Sequence, residues 1–108
     1  MKLGIILQSN QPEHVWNALR LAITARKAEH EVKIFLLSEG VELERMPDSE
    51  HFDISKKIKD FTKLEGQILA CGSCLESRSQ SGGAACSVST MADLLRLVEE
   101  SDKVLTFG

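Results

Sequence analysis

The chain has 108 residues, of which 27% are charged, and its formal net charge at pH 7 is -3. This length suffices for one hydrophobic core, so we expect residues 1–108 to form a single domain. Lysine and arginine are scattered among acidic residues, which argues against nucleic acid as a partner. The apolar run near the start is too short for a signal peptide or a membrane span. We therefore expect a cytoplasmic protein.

Strand and helix patterns alternate in the first half of the chain. The aliphatic segment Lys2–Leu7 predicts a buried strand, and Pro12 suits the first turn of a helix that extends to about Glu29. Trp16 lies on the apolar stripe of this helix and is expected to pack against the sheet or a neighbouring subunit. Residues 31–37 are rich in β-branched and aromatic side chains and predict a second strand. Residues 41–53 show no clear period and predict a loop.

The alternation continues to the end of the chain. Apolar spacing predicts a helix over residues 53–64, followed by a strand over 67–70. A capping-box-like spacing of Thr90 and Asp93 predicts the start of the last helix, and residues 103–107 predict the fourth strand. This order is typical of a parallel sheet with helices on both faces, in which ligand sites lie beyond the carboxyl ends of the strands.

Two cysteines separated by two residues, Cys71 and Cys74, come directly after the third predicted strand. A helix that starts here would place its unpaired N–H groups beside Cys71 and favour the thiolate. In a helical turn Cys74 and Arg78 lie at i+3 and i+7, so a second sulfur and a guanidinium could face the first. We expect a nucleophilic sulfur that projects from the sheet edge into an electropositive, accessible hollow.

The third cysteine, Cys86, follows a segment rich in serine and glycine, residues 79–85. A flexible loop there could bring Cys86 to Cys71 as a resolving thiol, but a buried or chance cysteine is at least as good an interpretation. An odd number of cysteines in a reducing compartment argues against a disulfide framework. Three cysteines and three histidines without a second close pair do not complete a zinc or iron–sulfur ligand set, so we expect no metal and no cofactor.

Several segments, in this order and spacing, resemble a known family. They are residues 2–7, 15–22, 31–37 with 40–41, 70–74, 89–91 and 103–107. Together they resemble the DsrE/DsrF-like family of small sulfur-relay proteins, to which TusD-type proteins belong. The resemblance implies a flavodoxin-like α/β fold, a three-layer sandwich with a mainly parallel sheet of four to five strands. It also implies sulfur donor and acceptor proteins as partners, and homo-oligomers that are dimers, trimers or hexamers.

The resemblance further implies that Cys71 accepts sulfane sulfur as a persulfide, as in a sulfurtransferase-like carrier. The family pattern needs only this cysteine, so Cys74 departs from it. The candidate catalytic residues are Cys71 and Cys74, the candidate supporting residues are Gly72, Ser73 and Arg78, and Cys86 is the candidate resolving thiol.

Two other functions remain open at this point. The C-x-x-C pair could serve dithiol redox or thiol-exchange chemistry through Cys71 and Cys74. Alternatively, the chain could be a non-enzymatic assembly module or metal-binding subunit. Whether it is an enzyme is not decided by the sequence.

Overall fold

A computed structural model describes residues 1–108 as a five-stranded parallel sheet with helices on both faces. In chain order the elements are β1 (Lys2–Leu7), α1 (Pro12–Lys27), β2 (Glu31–Leu36), a 3₁₀ helix (Ser38–Arg45), α2 (Ile54–Lys63), β3 (Gln67–Cys71), α3 (Gly72–Ser77), β4 (Cys86–Ser89), α4 (Met91–Glu100) and β5 (Lys103–Phe107). The predicted α/β class is confirmed, and the predicted helices and strands end within two residues of the observed bounds.

The strand order β4-β3-β2-β1-β5 explains how the layers are built. The chain steps in one direction from β1 to β4 and then crosses back to place β5 on the other side of β1. Because such crossovers are right-handed, α4 lies on the face opposite to α1 and α2. Gly4 in β1 lets α4 approach closely, since a side chain at this position would collide with Leu97.

The core is centred on β1 and β2, which are flanked by strands on both sides. On β2, the consecutive residues Ile34, Phe35 and Leu36 are all fully buried, as expected for a central strand covered on both faces. On α1, which packs on one face of the sheet, Val15 and Leu19 are also fully buried. This packing fixes the carboxyl ends of β1, β2 and β3 along one edge of the sheet.

The prediction for the last helix is confirmed in atomic detail. The Asp93 N–H donates a hydrogen bond of 3.2 Å to the Thr90 hydroxyl, and the Thr90 N–H donates one of 2.8 Å to the Asp93 carboxylate. Both halves of a capping box are therefore present at the start of α4. None of the helices combines the length and apolarity needed to cross a bilayer.

One prediction about an irregular segment is wrong, and one short strand was missed. Residues 41–53 were predicted as a loop, but the first of them, up to Arg45, belong to the 3₁₀ helix. They are ordered there because Val41 and Leu43 are buried against the core. The strand β4 was not predicted. It has four residues at the sheet edge, two of them exposed, which is too short and too polar for a period to emerge.

Trp16 is partly buried and packs against the hydrophobic core. Its ring meets Phe52 edge to face, with ring centroids 5.4 Å apart, and its indole N–H donates a hydrogen bond of 2.8 Å to Asp53. The Arg20 guanidinium carbon lies over the ring, 4.4 Å from its centroid. Trp16 therefore joins α1 to the segment that enters α2.

Candidate functional site

The two cysteines of the C-x-x-C motif lie where β2 and β3 end. These strands are parallel neighbours, with Leu36 in register with Ala70. Immediately after β2, the Ser38 N–H donates a hydrogen bond of 3.3 Å to the Cys74 sulfur. The ends of two neighbouring strands therefore meet at this sulfur, as the topology rule for parallel sheets predicts.

The backbone around Ser38 has an unusual conformation. Ser38 has a φ of 51°, in the left-handed region that side chains other than glycine seldom adopt. Gly40 follows, and a side chain there would overlap the carbonyl oxygen of Leu7, so the 3₁₀ helix packs its backbone directly on the end of β1. Strained residues of this kind cluster at functional sites. Here the strained turn carries the N–H group that contacts Cys74.

Cys71 is the last residue of β3 and the N-cap of α3. The strand-to-helix turn that the sequence predicts is thus present. The side chain is only 5% exposed, so the expectation of an openly accessible Cys71 sulfur is wrong. The reason is β4, which pairs with β3 and sets Ser89, itself buried, in register with Cys71.

Cys74 lies in the first turn of α3 and is half-buried, closer to solvent than Cys71. Burial raises the pKa of the Cys74 thiol, and a side-chain hydrogen bond with Cys71 raises it further. The Ser38 N–H and the positive charge of Arg78 lower it, but their effects are smaller. Cys74 is therefore a protonated thiol at neutral pH, next to the Cys71 sulfur.

Arg78 does not point at Cys71, contrary to the prediction. Its guanidinium pairs with Glu42 at 3.3 Å and donates a hydrogen bond of 3.1 Å to the carbonyl oxygen of Cys74. Arg78 thus satisfies the end of α3 and ties this short helix to the 3₁₀ helix. Its charge acts on Cys74, whose pKa it lowers.

The two remaining supporting candidates differ in their surroundings. Gly72 starts α3 against β4, and a side chain there would come within 3.3 Å of both the Ser89 carbonyl oxygen and Val88. Its small size lets α3 pack against the end of β4. Ser73 is exposed on the outer side of the turn.

Cys86 is not brought to the Cys71–Cys74 pair. It lies in β4 in register with Ile68, three residues before Cys71, so strand alternation directs Cys86 and Cys71 to opposite faces of the sheet. Its side chain is 9% exposed. Burial strongly raises the pKa of the Cys86 thiol, and the neighbouring Glu44 carboxylate raises it further. The structure places Cys86 as a buried, protonated thiol.

Glu44 also holds the segment before β4. Its carboxylate accepts a hydrogen bond of 2.8 Å from the Ala85 N–H, and a side chain at Gly83 would collide with it. A surface cavity of about 240 Å³ lies beneath this segment, lined on one side by Cys86 and Leu75. Sequence reasoning missed both Glu44 and Ser38, since one lies in the segment predicted as a loop and the other contributes only its backbone.

The structure contains no group of three or more histidine, cysteine, aspartate or glutamate side chains that could hold a metal ion. All three cysteines are free. At this site the structure places the Ser38 N–H on the Cys74 sulfur, one helical turn from Cys71.

Comparisons with known proteins agree on one family and one fold. The DsrE/DsrF-like family matches residues 1–107. An uncharacterized protein of Methanocaldococcus jannaschii is 34% identical over 100 residues, covering 88% of each chain. One of Methanopyrus kandleri is 35% identical over 101 residues, covering 88% of this chain and 83% of its own. The crystal structure of the Escherichia coli protein YchN superposes with a TM-score of 0.83 at 26% identity, covering 99% of this chain and 100% of that one.

Proposed function

Because the chain belongs to the DsrE/DsrF-like family, we propose that it is a small sulfur carrier that holds sulfane sulfur as a persulfide on Cys71 and passes it to a protein acceptor. The observation that supports this role is the position of Cys71 at the end of β3, as the N-cap of α3 and beside a second thiol. Family membership gives the context of sulfur relay, and the residues of this chain supply the proposed chemistry.

Loading is a thiol exchange on the donor. The Cys71 thiolate attacks the outer sulfur of the donor persulfide, a new S–S bond forms on Cys71, and the donor's own S–S bond breaks. The donor leaves as a thiolate, and Cys71 carries the persulfide. The N–H groups at the start of α3 have no partners within the helix and favour an anion at this end.

The burial of Cys71 is compatible with this role. An added sulfur extends the side chain by about 2 Å, the length of an S–S bond, so the outer sulfur reaches beyond the buried one. Cys74, protonated and half-buried beside it, can donate a hydrogen bond to the persulfide.

We also propose that a second copy of the chain covers α4, giving a cytoplasmic homo-oligomer. Three large apolar side chains, Met91, Leu95 and Val98, are 63%, 58% and 44% exposed and lie on one face of α4. Such a stripe is expected at an interface between subunits. Light scattering tests this proposed assembly by measuring the mass of the protein in solution. Leu95→Lys should reduce the mass of a dimer, trimer or hexamer toward that of one chain, whereas Lys103→Glu on β5 should not.

Intact-protein mass spectrometry tests the carrier function. After incubation with a persulfide donor, the wild-type chain should gain one sulfur atom, and Cys71→Ser should gain none. Cys86→Ser serves as the matched control and should load like the wild type, because Cys86 lies on the other face of the sheet. Equal loading of wild type and Cys71→Ser would overturn the proposal.

Dithiol exchange is the second candidate function, favoured by the placement of Cys71 and Cys74 three residues apart on the first turn of α3. This function requires no sulfane sulfur. A protein acting in this way would form a reversible Cys71–Cys74 disulfide with a protein disulfide substrate, and with a persulfide donor it would neither gain sulfur nor release sulfide.

A further inference from the structure

We propose that Cys74 discharges the Cys71 persulfide as hydrosulfide when no acceptor takes it, leaving a Cys71–Cys74 disulfide. This inference rests on the proposed function, since it requires a persulfide on Cys71. It adds an activity, sulfide release, and gives Cys74 a chemical role of its own.

The positions of the two thiols support an intramolecular reaction. Cys74 lies three residues after Cys71, across the first turn of α3, so the two residues are neighbours on one side of that turn. A separation of this kind falls within the range that a disulfide spans.

The reaction balances without an added oxidant. The Cys74 sulfur attacks the inner sulfur of the ionised Cys71 persulfide, and the S–S bond to the outer sulfur breaks. The outer sulfur departs with the bonding electron pair and takes the proton that Cys74 loses, so it leaves as hydrosulfide. The outer sulfur is reduced, and the Cys74 sulfur is oxidised into the disulfide. A dithiol reductant then restores both thiols and is itself converted to a disulfide.

The Ser38 N–H supports this step as a positioning group. It donates to the Cys74 sulfur at 3.3 Å and lowers the pKa of this thiol, which favours the loss of the proton during attack. The Cys74 thiol, whose pKa is raised overall, is protonated in the unloaded protein and gives up its proton in the attack.

The test follows loaded protein after the donor has been removed. Wild type should release one equivalent of sulfide, measured colorimetrically, and should end two hydrogen masses below the fully reduced chain. Cys74→Ser protein that has gained sulfur should release sulfide at least about tenfold more slowly than loaded wild type, because it lacks the adjacent nucleophile. Cys86→Ser should match the wild type, and Cys74→Ala provides a second variant if serine perturbs folding.

The outcomes separate this inference from the proposed function. Sulfide release at the wild-type rate from both Cys74 variants, or the absence of a Cys71–Cys74 disulfide in discharged wild type, would overturn the discharge step while leaving the carrier function intact. A wild type that neither gains sulfur nor releases sulfide after incubation with the donor would overturn the carrier function itself.

Discussion

Removing the Cys86 thiol should flatten the alkaline pH dependence of the protein's stability. Burial and the Glu44 carboxylate strongly raise the pKa of Cys86 above its usual value of 9.0 in the folded protein. A raised pKa contributes stability that is fully present below 9.0 and is lost as pH rises above it, because the unfolded chain then releases a proton that the folded chain retains.

The magnitude follows from one proton. With an unfolded pKa of 9.0 and a folded pKa raised so strongly that the thiol keeps its proton over this range, the free energy of unfolding should fall by about 1.4 kcal/mol between pH 8 and pH 10 through Cys86 alone. Cys86→Ala lacks this thiol, so over the same pH range its free energy of unfolding should fall by about 1.4 kcal/mol less than that of the wild type. Contributions from Cys74 and all other groups are common to both proteins and cancel in the difference.

Urea denaturation in the presence of a reductant, at intervals from pH 8 to pH 10, gives the free energy of unfolding of each protein. The effect of Cys86 is the change with pH in the difference between these two free energies. Ile68→Val is the matched control. It removes a methyl group from the strand residue in register with Cys86 and should leave the pH slope unchanged. If the curves of wild type and Cys86→Ala stay parallel over this range, Cys86 is not the buried, protonated thiol described above.

Three further predictions concern the fold. Thr90→Ala removes the capping box of α4 and should lower the free energy of unfolding, measured by urea denaturation, by about 1 kcal/mol, whereas Thr90→Ser should leave it nearly unchanged. An equal loss in both would contradict the capping role. The Trp16 indole lowers the pKa of Asp53, so Trp16 fluorescence should titrate with a midpoint below 3.8, and this transition should vanish in Asp53→Asn. Gly40→Ala should cost about 3 kcal/mol or more, seen as a lower melting temperature, because its methyl group would overlap the last carbonyl oxygen of β1. A melting temperature equal to that of the wild type would refute the close packing there.

Much of the fold was predictable because its elements are long or carry clear local signals. The apolar runs of β1 and β2 reflect burial on both faces, and Thr90 with Asp93 forms the capping box that the spacing predicts. The position of Cys71 at the end of β3 followed from the same reasoning. These signals depend on residues close together in the chain.

The parts of the site that escaped prediction depend on distant parts of the chain. Cys71 is buried because β4 pairs beside it, and β4 is too short to show a period. Ser38 contributes a backbone N–H, which its side chain does not reveal. Arg78 is drawn to Glu42, which lies in a segment without helical or strand periodicity. Each contact forms only when the strands are assembled into the sheet.

Locating the added sulfur on the chain tests the central claim most directly. Trypsin cleaves after Lys63 and Arg78, so both cysteines of the motif lie on one peptide, residues 64–78. After loading and alkylation, fragment ions that separate Cys71 from Cys74 should place the extra sulfur on Cys71. Finding it on Cys74, or on neither residue of this peptide, would contradict the claim that Cys71 is the sulfur-bearing residue.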